Sequence, residues 1–246
     1  ASMEALPLNF ERARHGNAKN RHKVFLFEKE ETYFEKGGAP GSAGVYIGGR
    51  DGGDVLVPLT SLGVKPMGSG YTRDRKKSNK TLPHELAHQL TDHVYYAHGS
   101  RGWFTEGLAE YVASSQMTDS RFNFESNLDE IEAYATAYGK DDDGGRSLGE
   151  EISLGDLRKF MLQPYSQFTG NANFNYGMGL LLTTYFLHLE DDGSRANVVA
   201  FMKAMRDGLT GEELLEVLRA GRSWKELGDD ISAGWRRKGI KIKIGE

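Results

Sequence analysis

Between Lys23 and about Leu62, apolar residues come in short β-branched and aromatic runs broken by glycine. VFLFE at 24–28, GVYIGG at 44–49 and DVLVPL at 54–59 each have the length of a strand. The connections EKGGAPGSAG and GGRDGG are turn signals. From Leu82 onward the period changes. Apolar positions recur every three to four residues and predict helices near 82–98, 103–116, 123–137, 154–162, 174–190, 194–207, 211–219 and 224–237. Three starts carry capping-box spacing or its aspartate variant: Ser153 with Asp156, Thr210 with Glu213, and Ser223 with Glu226. GSGYTRDRKKSNK reads as an exposed loop leading into the first helix. KDDDGGRSLGEE reads as a solvated loop, because the spacing of Asp141, Asp142 and Asp143 does not fit an EF-hand. The basic end, WRRKGIKIKI, reads as a helix end followed by an alternating strand.

These elements predict an α+β fold over residues 1–246. A small N-terminal mixed sheet and one helix occupy about 1–99, and a mostly helical lobe occupies about 100–246. With 246 residues, 38% of them hydrophobic, the chain can bury a substantial core. A net charge of −4 gives no electrostatic footing for nucleic acid as the main partner. GLLLTTYFLHL at 179–189 is too short to span a membrane and reads as a buried helix. The absence of cysteine excludes disulfides and thiolate metal sites. Localisation is barely constrained: a soluble chain is expected, and export with removal of a leader segment is one open setting. Oligomeric state leaves no trace in the pattern.

The chemistry concentrates in TLPHELAHQLTDH at 81–93. Residues four apart lie one turn apart on the same helical face, so His84 and His88 can both aim imidazole nitrogens at one ion. Glu85, about 100° around the helix from His84, can reach a water near that ion without being a ligand. This is the HExxH arrangement of two zinc ligands and a general base. Pro83 fits the first helical turn, where its missing N–H costs little, and Ser78 or Thr81 can cap the start. A zinc hydrolase needs a third protein ligand and one open position. The metzincin pattern would place glycine and histidine where Thr91 and Val94 stand, and it fails. Asp92 and His98 lie too far along the same helix. Glu106, 18 positions beyond His88 on the next predicted helix, is the natural third ligand.

HELAH followed by WFTEGLAEY resembles the gluzincin metallopeptidases over about 82–112. The two-histidine-plus-glutamate set is similar to that of the thermolysin-like enzymes. The tryptophan before Glu106 and the Glu-Gly-x-Ala run are closer to the alanyl aminopeptidase branch and its bacterial relatives. The resemblance implies a zincin-like fold with one Zn2+ held by His84, His88 and Glu106, and with Glu85 as the base. It also implies that Glu110 bonds the outer nitrogen of the first ligand histidine. NYGMGLLLTTYFLHL resembles the aminopeptidase segment bearing a transition-state tyrosine, which implies Tyr176 as the oxyanion donor. The expected reaction is hydrolysis of a peptide or protein substrate by metal-activated water. The Gly-x-Met-Glu-Asn strand with which aminopeptidases hold a free N-terminus is not found, and GVYIGG or DVLVPL is the candidate edge strand for an extended peptide. An alternative from another class is an inactive zinc- and peptide-binding module on a peptidase fold. Trp103 and Tyr111 are expected to pack the two helices, Tyr95 and Tyr96 to be core or rim, and His93, His98 and His188 to be structural or surface residues rather than ligands.

Overall fold

The computed structural model describes residues 22–49, 52–78, 80–96, 102–115, 117–118, 121–122, 124–136, 145–190 and 195–245. His98 and the acidic run Asp141, Asp142 and Asp143 lie outside the described residues. The architecture is mixed α and β, with small sheets and a helical C-terminal region.

Strands β1 (Lys23–Phe27), β2 (Val45–Gly49) and β3 (Gly52–Pro58) form a sheet in the order β1-β3-β2. β1 runs parallel to β3 and β2 antiparallel to it. DVLVPL is therefore the centre of the sheet and GVYIGG is an edge. Helix α1 (Glu30–Glu35) crosses between β1 and β2, and its Tyr33 joins Phe27 and Leu56 in a small apolar cluster. The polar run after Gly68 is a strand, not a loop. β4 (Leu62–Met67) and β5 (Gly70–Ser78) form an antiparallel hairpin in which Met67 faces Gly70. Gly68, at φ +62°, allows the tight turn. The hairpin is largely exposed, so it lacks the apolar alternation that marks a half-buried strand.

Helix α2 (Thr81–Leu90) lies against the sheet. Buried Gln89 donates to the carbonyls of Lys23 and Gly53 at 3.0 and 2.8 Å, fastening the end of α2 to β1 and β3. Gly44 admits the start of α2, since a Cβ there would lie 2.5 Å from Thr81 Cγ2. The helix stops eight residues before its predicted end. Thr91 is extended (φ −82°, ψ 129°), and its hydroxyl turns back to the Ala87 carbonyl at 2.8 Å. A 3-10 turn over His93–Tyr95 follows.

The remaining chain supplies α3 (Gly102–Ser114), the two-residue strands β6 (Met117–Thr118) and β7 (Arg121–Phe122), and α4 (Phe124–Thr136). Then come β8 (Glu151–Asp156), α5 (Leu157–Leu162), α6 (Tyr165–Gly170), α7 (Ala172–Thr184) with a π turn at Tyr185–Leu189, α8 (Ala196–Arg206), α9 (Gly211–Arg219), α10 (Trp224–Arg236) and β9 (Lys241–Gly245). The expected helix at 154–162 is half strand. Ile152 and Leu154 are buried on alternate positions, and β8 pairs in parallel with the alternating strand β9. Asp156 is the true cap of α5, accepting from Lys159 N–H at 2.9 Å, so the Ser153 spacing marks no helix start. Ser223 and Glu226 form both halves of a capping box on α10. Thr210 occupies the N-cap of α9 without a side-chain bond. Among the described residues, no helix is long and apolar enough to cross a membrane.

Helix α3 is buried on nearly all sides, and Trp103, Phe104 and Leu108 belong to one continuous core with α7, α8 and α10. α3 and α7 cross with backbones in contact. A Cβ on Gly107 would strike the Gly179 carbonyl, and one on Gly179 would lie 2.8 Å from the Trp103 carbonyl oxygen. Only glycine fits both positions. Gly107→Ala is therefore expected to push the helices apart and cost about 1–3 kcal/mol in denaturant unfolding. Gly170→Ala, where a Cβ meets nothing within 4 Å, should change stability by less than about 0.5 kcal/mol. Equal effects at the two sites would remove this account of the crossing.

Candidate metal centre

The start of α2 carries no side-chain cap. Lys80 is the N-cap and Thr81 the first helical residue, so neither Ser78 nor Thr81 holds the N-cap position that the sequence suggests. Pro83 sits in the first turn, where no donor is needed. One turn then separates His84 from His88 on the face turned towards α3, and both are buried. Across from them α3 presents Glu106, also buried, beside the glycine of the helix crossing.

The three side chains meet in a nearly equilateral triangle. His84 Nε2 lies 3.1 Å from Glu106 Oε2, His88 Nε2 lies 3.1 Å from the same oxygen, and the two Nε2 atoms are 3.1 Å apart. Bonds of about 2.0–2.1 Å around a tetrahedral zinc ion put ligand atoms roughly 3.3 Å apart. The triangle therefore fits one face of such a site. The protein has also directed the outer atoms of all three residues elsewhere. His84 Nδ1 meets Glu110 Oε1 at 2.8 Å. His88 Nδ1 meets the Tyr96 hydroxyl at 3.0 Å. Tyr165 donates its hydroxyl to Glu106 Oε1 at 2.8 Å. With its Nδ1–H committed to Glu110, a neutral His84 has only a bare lone pair at Nε2, aimed at a carboxylate. Such a cluster calls for a cation at its centre, either a metal ion or a proton.

The electrostatics agree. Burial opposes ionisation of Glu110, but the hydrogen bond from His84 and the Arg146 guanidinium outweigh it and hold its carboxyl down at about 2. Arg146 donates through Nε and Nη2 to the two oxygens of Glu110, at 2.7 and 2.5 Å. Burial also disfavours a charged His84, yet hydrogen bonds to Glu106 and Glu110 push it up to about 10. Glu106 is held well below the usual carboxylate range, against burial, chiefly by the His88 charge and the two imidazole hydrogen bonds. Glu85 behaves differently. Burial raises its carboxyl, while the two imidazoles and the Tyr46 backbone N–H pull the other way. Its side chain lies in the cleft beside the triangle and outside it.

Tyr176 is at the same centre. Its ring stacks on His84 with 5.9 Å between centroids, and its hydroxyl bonds with that of Tyr165. Burial, then the nearby Glu106 charge, keeps its phenol protonated well above the ordinary value. The six residues singled out from the sequence, His84, Glu85, His88, Glu106, Glu110 and Tyr176, are thus brought together. Tyr96, Tyr165 and Arg146 join them without having been foreseen. Trp103 is core, as expected. His188 is structural, hydrogen-bonded to the Tyr111 hydroxyl at 2.7 Å, with burial holding its imidazole down at about 4. His93, expected to be a structural or surface residue, lines the cleft.

No protein-family model, curated protein or solved structure matches the chain, so the reading of this centre rests on its geometry.

Glu110→Gln is expected to weaken zinc binding about 10–100-fold in a chelator competition titration, because Gln cannot hold His84 with a charge. The proton linkage has a definite sign. In metal-free protein the raised His84 is protonated at neutral pH, and its stabilisation is complete below about pH 6.5 and lost as pH rises through about 10. A zinc ion held by the triangle would have to displace that proton. Apparent zinc affinity should therefore climb by up to about tenfold per pH unit between pH 7 and 9. A flat profile would contradict the assignment of the proton to the ligand cluster.

Proposed function

We propose that this chain is a zinc-dependent peptide hydrolase of the gluzincin type, with a zincin-like pairing of an edge strand and an active helix. His84, His88 and Glu106 hold one ion. The observation that carries this reading is the position of Glu85: a carboxylate one residue from a ligand histidine, outside the ligand triangle and facing an open groove. A zinc ion at this centre supplies Lewis acidity, polarising a substrate carbonyl and lowering the pKa of an attacking water.

Glu85 takes the proton from the attacking water and delivers it to the departing amine. Burial raises its carboxyl above the ordinary value, the direction that makes a carboxylate a better base. Tyr176 donates its phenolic O–H to the oxyanion as the carbonyl becomes tetrahedral, and the high pKa keeps that proton in place. Glu110 and Arg146 orient the His84 ring, while Tyr165 turns the Glu106 carboxylate so that only Oε2 faces the histidines. β2 borders the groove as a strand paired on one side only within its sheet, so an extended peptide can add along its other edge.

Glu85→Gln should lose about 10²–10⁴-fold in turnover of a mixed peptide library while keeping one zinc per chain by metal analysis. Full activity in that variant would end the base assignment. The two tyrosines separate by readout. Tyr176→Phe should lower kcat about 10²–10³-fold with little change in zinc content. Tyr165→Phe should chiefly weaken zinc retention, seen as faster loss to chelator.

A further inference from the structure

Two hollows flank Glu85 and differ in chemistry. One, of about 320 Å3, is walled by Lys80, Thr81, Tyr134 and Arg146. The other, of about 410 Å3, is walled by Val45, Tyr46, His93, Tyr96 and Tyr165. Gly44, His84, Glu85 and Tyr176 border both. The two hollows therefore meet at the candidate metal centre and leave space on each side of Glu85.

The edge strand gives the groove a direction. Ala43 and Gly44 border the hollow of Lys80 and Arg146, and Gly44, Val45, Tyr46 and Gly48 border the tyrosine-lined one. The Tyr46 backbone N–H bonds to Glu85, so the edge strand touches the base directly. By the two-residue alternation of a strand, the backbone groups of Gly48 face the groove as well, beside the Tyr46 ring that lies over its Cα. Antiparallel pairing is the more stable mode. A peptide paired antiparallel to β2 enters at the tyrosine-lined hollow and leaves at the hollow of Lys80 and Arg146.

In the second of these, the Lys80 ammonium stands 4.5 Å from the centre of the Tyr134 ring. Arg146 uses two of its N–H groups on Glu110 and rests its guanidinium 5.0 Å from the centre of the Tyr176 ring. A guanidinium has five N–H donors; two go to Glu110 and Tyr134 also bonds to the group, which leaves donor capacity towards the hollow. A carboxylate matches this pair of cations. Phenolic walls in the other hollow suit an aromatic ring, which gains from offset or edge contacts as well as burial.

We propose that the groove selects peptides with an aromatic residue on the acyl side of the cleaved bond and a carboxylate on the amine side. This rests on the hydrolase reading above. The carboxylate can be a side chain of the following residue or the chain terminus itself, and the test separates the two.

Zinc-loaded Glu85→Gln protein, which should bind without turnover, is titrated calorimetrically with end-capped hexapeptides carrying phenylalanine followed by glutamate or by glutamine. A second pair ends one residue after phenylalanine, as the free acid or the amide. Glutamate over glutamine by at least tenfold supports a side-chain carboxylate; acid over amide by that factor supports a terminal one. Adding Lys80→Met should cut whichever preference exists to below threefold while glutamine-peptide affinity stays within twofold, which reports an intact groove. Adding Tyr46→Ala should likewise reduce preference for phenylalanine over alanine. Wild-type cleavage sites, mapped by mass spectrometry, should fall after the aromatic residue. Equal affinity within both carboxylate pairs, or a preference untouched by Lys80→Met, overturns the proposal. Cleavage without these preferences leaves the hydrolase and removes the subsites. Selective binding without cleavage leaves the subsites and removes the hydrolase.

Discussion

Two ring nitrogens and a carboxylate oxygen, buried and 3.1 Å from one another, cannot rest together without positive charge among them. Bringing polar atoms out of water is costly unless each finds a partner, and here the usual partners are spent on the far side of each group. Glu110 takes the outer nitrogen of His84, Tyr96 meets that of His88, and Tyr165 takes the outer oxygen of Glu106. The inner atoms are left to a proton or a metal ion. That choice couples the centre to pH and to metal supply.

The fold holds this centre in place through backbone contact rather than long side chains. Gly107 is the neighbour of Glu106, and Gly179 lies three residues beyond Tyr176. Their direct contact fixes the carboxylate ligand and the proposed oxyanion donor relative to each other. On the other side, Gln89 fastens α2 to the sheet one residue after His88. Gly44 lets the edge strand come down onto the start of the same helix. The base, the ligands and the strand edge are therefore set by three close approaches, each made possible by a glycine or a buried amide.

The sequence carried much of this, and the gaps have physical causes. His84, Glu85 and His88 are legible because a local period of 3.6 residues puts them on neighbouring faces of one helix. Glu106 is legible because few acids in the following helix could reach back. Tyr96 was missed because the helix was expected to run on to 98. The turn at Thr91 depends on a hydroxyl folding back to the Ala87 carbonyl, and it is this turn that returns Tyr96 to His88. Arg146 sits in what reads as a solvated polar loop. Its partner Glu110 lies 36 residues earlier, so only tertiary packing reveals the pair. Tyr165 is part of a short helix that leaves no periodic trace. The β4–β5 hairpin and β8 were misjudged for a related reason: one is too exposed to alternate, and the other is a short buried strand running directly into a helix.

The central claim is that a single divalent ion occupies the triangle of His84, His88 and Glu106. Anomalous diffraction at the zinc edge from crystals of the zinc-soaked protein tests it directly. One strong peak is expected about 2.0–2.2 Å from His84 Nε2, His88 Nε2 and Glu106 Oε2. A peak elsewhere, or none at full zinc loading, would contradict the account.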